Sequence, residues 1–131
     1  MKIYRIAEDM VDVYRICIAR QNPENPSITE FKSLYKPDYS KPTPWTPISI
    51  GSVLNGRWYV GTKAKFCLSY YSGNEDLEEG ETEILVTLKV NASLVPPKEN
   101  DAYMGSEAVV SNPLVVNIEN VSDVINKEEY Q

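Results

Sequence analysis

The stretch NGRWYVGTKAKFCLSYY, Asn55–Tyr71, decides how this chain is read. Asn55 and Gly56 supply a turn, and Arg57–Val60 is aromatic and branched sequence that favours an extended backbone. Thr62 then stands where an N-cap hydroxyl accepts a backbone N–H. From Lys63 onward, Phe66, Cys67, Tyr70 and Tyr71 recur at intervals of three and four, which sets them along one helical face. The segment therefore predicts a turn, a short strand and a helix, with a tyrosine on each side of one strand-to-helix corner.

The flanking sequence predicts a single α+β domain spanning residues 1–131, with its main helix after the Tyr59 strand. Met1–Ala7 and Val11–Ala19 are both rich in branched and aromatic residues and share Tyr-Arg-Ile at 4–6 and 14–16. They are read as a hairpin or as two separate strands. Residues 21–47 carry Pro23, Pro26, Pro37, Pro42, Pro44 and Pro47 and are read as a proline-rich surface insert. It leaves room for one short helix, capped by Ser27 or Thr29 and running to about Tyr35. Ile84, Val86, Leu88 and Val90 alternate with Leu85, Thr87 and Lys89, the period of a strand. Two further strands, Glu107–Val110 and Leu114–Val121, are broken at Asn112-Pro113 and close the domain as a pair, while residues 122–131 are expected to fray.

Composition narrows the chemistry. With no histidine in 131 residues, Ser-His-Asp and Cys-His catalysis and histidine-based zinc sites are excluded. Acid–base work falls to carboxylates, tyrosine or lysine. Cys17 and Cys67 lie far apart without metal-ligand or redox spacing, and no stretch resembles a signal peptide or a membrane span, so reduced, buried thiols in a cytoplasmic protein are expected. The carboxylates of Glu75–Glu83 lack the alternating oxygen ligands of a calcium loop, and no metal is expected. A net charge of −6 argues against sequence-independent binding to a phosphate backbone. Nucleic acid stays open as a substrate, since Arg5, Arg15, Arg20, Lys63 and Lys65 can hold a few phosphates.

In the order of these elements the chain resembles the ADP-ribosyltransferase superfamily. The resemblance rests on an early strand bearing Arg5 or Arg15, then Gly56, Tyr59, Thr62 and Tyr70 around a strand and helix, then Glu107 opening a strand. It implies that NAD is the substrate, that Tyr59 and Tyr70 flank the nicotinamide, and that Glu107 is catalytic. Arg5 or Arg15 would hold the pyrophosphate. Tyr4-Arg5-Ile6 and Gly56-Arg57-Trp58 are also similar to the RES-type NAD-degrading toxins, although the strand that should follow Gly-Arg-Trp gives way to a helix start at Thr62. Superfamily members that modify arginine carry Glu or Gln two residues before the catalytic glutamate. Gly105 stands there, which disfavours an arginine acceptor and leaves protein, nucleotide or nucleic acid open.

The chemistry asks for these residue types. Breaking the bond between nicotinamide and ribose develops positive charge on the sugar, which a carboxylate hydrogen-bonded to the 2′-hydroxyl stabilises. Aromatic faces hold a flat leaving group, and an arginine fork fits a pyrophosphate better than lysine does. Each residue also has a plainer role: tyrosines pack in sheets, strand arginines face water, and Thr62 caps a helix. Two other functions fit the same sequence. One is a small acidic binding or inhibitor protein using Tyr35, Tyr39 and Trp45 as anchors; the other is an NAD hydrolase or phosphorylase, with water or phosphate as acceptor.

Overall fold

In the computed structural model, which describes residues 10–33, 44–73, 77–91 and 107–128, one antiparallel sheet curls round a core. The chain runs β1 (Met10–Asn22), β2 (Asn25–Ser33), β3 (Thr46–Pro47), β4 (Arg57–Gly61), α1 (Ala64–Tyr71), β5 (Thr82–Asn91), β6 (Glu107–Ser111), β7 (Leu114–Asn120) and α2 (Val121–Glu128). The expected α+β architecture with one main helix is overturned: the domain is mostly antiparallel β. The two helices among the described residues have eight residues each, about 12 Å apiece, too short to organise a layer.

The sheet is built on β1 and β5, which pair without interruption from Met10↔Asn91 to Ala19↔Thr82. Both strands are buried on both faces, so apolar residues occupy both sides of the pleat. Val13, Cys17 and Ala19 join Ile84, Val86, Leu88 and Val90 on the inner side, where Phe31, Leu54, Val60, Val110 and Val115 complete the main core. Ile16 and Leu85 face the other way and are covered by Cys67 of α1 and by Val121 and Val124 of α2. The alternation read in Ile84–Val90 gives the inner face, with Val86 and Leu88 wholly enclosed, while Leu85 on the other face is buried as well.

Closure comes from the second edge of β1. Its far end, Cys17 to Asn22, pairs with β2, whereas Tyr14 pairs with Gly61 of β4. β4 in turn pairs with β6, from Arg57↔Ser111 to Gly61↔Glu107, and β5 pairs with β7. Only Asn112 and Pro113 separate β6 from β7, so the path from β1 through β5, β7, β6 and β4 returns to β1. The break at Asn112-Pro113 is where expected, but β6 and β7 pair with β4 and β5 rather than with each other. Asn112 adopts φ 47°, a left-handed geometry that asparagine tolerates. Its N–H donates to the Gly56 carbonyl and its Oδ1 accepts from the Gly56 N–H, both at 2.8 Å.

Three local expectations are corrected. Residues 25–33 form a strand, not a loop or a Ser27- or Thr29-capped helix. Pro23 sits in the hairpin turn, where Asn22 Oδ1 accepts from the N–H groups of Glu24 and Asn25 at 2.8 and 3.0 Å. Pro26 occupies the exposed start of β2, and Pro47 lies in a two-residue edge strand, positions where a missing N–H costs little. Thr62 is not the cap of α1. That position belongs to Lys63, whose side chain makes no capping bond, and Thr62 is buried at 4% exposure. Residues 121–128 are helical instead of frayed, because Val121 and Val124 bury against Ile16 and Leu85. The expected strand Met1–Ala7, with Arg5, lies outside the described residues.

Candidate functional site

Arg15 lies where β1 changes partners, between Cys17, opposite Ser33 of β2, and Tyr14, opposite Gly61 of β4. Alternation along β1 sends its side chain to the same side as Val13 and Cys17, into the mouth of the curled sheet. Its guanidinium Nη1 donates to the Tyr59 carbonyl at 2.5 Å, on the solvent side, and Nη2 donates to the Ser33 hydroxyl. The cation lies 5.1 Å from the centroid of the Trp58 ring. Trp58 is itself fixed, since its Nε1 donates to the Asn55 carbonyl at 3.0 Å and its ring packs 5.7 Å from that of Phe31.

Arg20 pairs with Glu30 at 3.0 Å, Lys89 with Asp12 at 2.6 Å and Lys32 with Glu81 at 3.8 Å, but among the described residues no carboxylate pairs with Arg15. Its Nε–H is buried without an acceptor. Desolvating a guanidinium donor without a partner is costly. A planar fork of N–H donors suits a phosphate or carboxylate.

The remaining candidates are distributed along the adjoining elements. Tyr59 meets Arg15 through its backbone, while its side chain is 60% exposed beside the cross-strand Val109. Glu107 opens β6 opposite Gly61, two positions from the Tyr59–Val109 pair. Thr62 is buried between β4 and α1, and Tyr70 belongs to the last turn of α1. Trp58 and Ser33 were missed in the sequence. The alternation of Trp58 and Val60 marks an inward face for the indole, but nothing local signals Ser33, which reaches Arg15 only through strand pairing.

Two neighbouring groups are engaged within the fold. Burial pushes the Cys17 thiol up to about 11, against the opposing pull of Arg15, so it is protonated near neutral pH and inert. Trp45 packs between the Arg20 guanidinium at 4.3 Å and the Lys32 ammonium at 4.8 Å, which engages it within the chain; Tyr35 and Tyr39 lie outside the described residues. A shallow groove of about 270 Å³ between α1 and α2 is lined by Lys65, Leu68, Ser69 and Ile125, and of the candidate residues it includes Lys65 alone. Among the described residues no three potential ligands gather for a metal, and no helix is long and apolar enough to cross a membrane.

No protein-family model matches the chain, and neither the curated proteins nor the solved structures include a significant match to it.

Proposed function

We propose that this domain binds NAD and transfers its ADP-ribosyl group to an acceptor other than arginine. The observation that carries the reading is Arg15: a half-buried guanidinium that pairs with no carboxylate among the described residues, exposed at Nη1 and backed by an aromatic face. Such a group binds a pyrophosphate by charge-assisted hydrogen bonds. In the reaction, the bond between C1′ of the ribose and the nicotinamide nitrogen breaks, nicotinamide leaves with the bonding electrons, and the acceptor supplies a new pair to C1′. Glu107 is assigned the carboxylate that accepts from the ribose 2′-hydroxyl as positive charge develops. Tyr59 and Tyr70 are assigned the aromatic faces for nicotinamide, and Thr62 supports the corner between them. The acceptor is a protein or a nucleic acid, and no step calls for a metal or a membrane. We assign the protein to the cytoplasm, where NAD is available and thiols such as Cys17 and Cys67 remain reduced.

Calorimetric titration of NAD and an assay of nicotinamide release test the reading together. Glu107→Gln removes transition-state charge stabilisation, so nicotinamide release should fall about a hundredfold to a thousandfold while NAD affinity stays near that of wild type. Release that is unchanged in a folded Glu107→Gln protein would take Glu107 out of the mechanism. Absence of NAD binding by the wild-type chain would end the proposal.

A further inference from the structure

We infer that Trp58 is a positioning residue for ligand binding: its indole face holds the Arg15 guanidinium, which pairs with no carboxylate among the described residues, in the direction from which it meets an anion. The inference rests on the NAD reading only for the identity of that anion.

An arginine on a strand must be held against rotation about its long side chain if it is to bind a phosphate directionally. A carboxylate fork is the usual brace, as Glu30 provides for Arg20, but it cancels the charge it orients. At the β1 fork the brace is an aromatic ring 5.1 Å from the cation. A ring attracts the guanidinium through its quadrupole and leaves the net positive charge intact. For that to orient anything, the ring must be rigid. Trp58 is tied at its Nε1 to the Asn55 carbonyl at 3.0 Å and packed beside Phe31, with the ring planes inclined by 36°. The Ser33 hydroxyl and Tyr59 carbonyl then fix the two terminal nitrogens from opposite strands. Arg15 is thus held on three sides by neutral groups.

Inorganic pyrophosphate serves as the probe, titrated calorimetrically beside NAD. Trp58→Leu keeps an apolar side chain but removes the ring face, and should weaken pyrophosphate and NAD about tenfold. Trp58→Phe restores a ring face and should stay within about threefold of wild type, a rescue that a role in packing alone would not produce for an anion. Because Trp58→Leu could unfold the core, a second measurement uses Trp45→Phe, which leaves Trp58 as the sole indole. Saturating pyrophosphate should shift its emission by bringing negative charge to the guanidinium that the ring holds.

Native Trp58→Leu protein with wild-type pyrophosphate affinity, or Trp58 emission unmoved at saturation, overturns the inference. Wild-type protein that binds pyrophosphate but not NAD refutes the NAD reading and leaves the role of Trp58 standing. Failure to bind either overturns both.

Discussion

Replacing Arg15 by methionine should separate a binding residue from a structural one. In the native protein the guanidinium makes hydrogen bonds to the Tyr59 carbonyl and the Ser33 hydroxyl, each worth about 1.5–3 kcal/mol for a charged donor. Its contact with Trp58 adds ~0.5–1 kcal/mol. Against this stand the penalty for withdrawing a guanidinium from water, several kcal/mol, and about 1–3 kcal/mol for the orphaned Nε–H. The opposing contributions nearly cancel. Methionine removes both sides, fills much of the same volume, and leaves a Tyr59 carbonyl that water can reach. Stability should therefore change by no more than about 1 kcal/mol, in either direction, as happens when buried ionic groups are exchanged for apolar ones. Binding should behave differently: losing two charge-assisted bonds to a pyrophosphate, ~3–4 kcal/mol, weakens NAD by a hundredfold or more. Urea unfolding measures the first quantity and calorimetry the second. A loss of more than about 3 kcal/mol of stability, with little change in NAD affinity, would refute the reasoning and make Arg15 a strut of the sheet.

Leu88, fully enclosed between the strands of the main core, should cost ~2–5 kcal/mol when truncated to alanine, read from the urea midpoint; less than 1 kcal/mol would mean that the sheet does not close round it. Asn112→Ala forfeits both the Oδ1 bond to the Gly56 N–H and a residue suited to φ 47°, and should lose about 1–2 kcal/mol, of which Asn112→Gly regains the backbone share. The Cys17 thiol has its folded pKa raised by burial to about 11, above that of the unfolded chain, so its contribution is full below pH 9 and is lost as pH rises toward 11. This loss amounts to about 2–3 kcal/mol, and burial shifts Tyr14 in the same direction. Unfolding free energies that stay level between pH 8 and 11, or rapid labelling of native Cys17 by a thiol reagent at neutral pH, would contradict that placement.

Read locally, the chain already contained several of its elements. The two-residue period of Ile84–Val90 placed a strand and its inner face, because burial alternates with the pleat. Asn112-Pro113 marked a break, since proline lacks the N–H to continue a ladder. Asn55-Gly56 and the aromatic run after it placed β4 within a residue of its observed limits, and Gly56 does adopt φ +94°. Proline density misled the reading of residues 25–33: counting prolines ignores where they fall, and these occupy a turn and exposed edges. The closing helix was missed for a related reason. Its two buried valines are too few for a periodic signal, and only the apolar patch of Ile16 and Leu85 makes them worth burying.

By itself, then, the sequence determined which short segments extend, which turn, and which chemistries are closed to a chain without histidine. Closure of the sheet belonged to tertiary structure, because hydrogen-bond partners in β-ladders are chosen by register across long separations, and no residue announces its partner. The site follows from that same choice. Arg15, Ser33 and Trp58 are remote in sequence and meet only because β2 leaves β1 at Cys17 and β4 takes over at Tyr14. Arginine at position 15 was legible from the start, but what surrounds its guanidinium depends on every strand that passes the fork, and only the folded arrangement decides that.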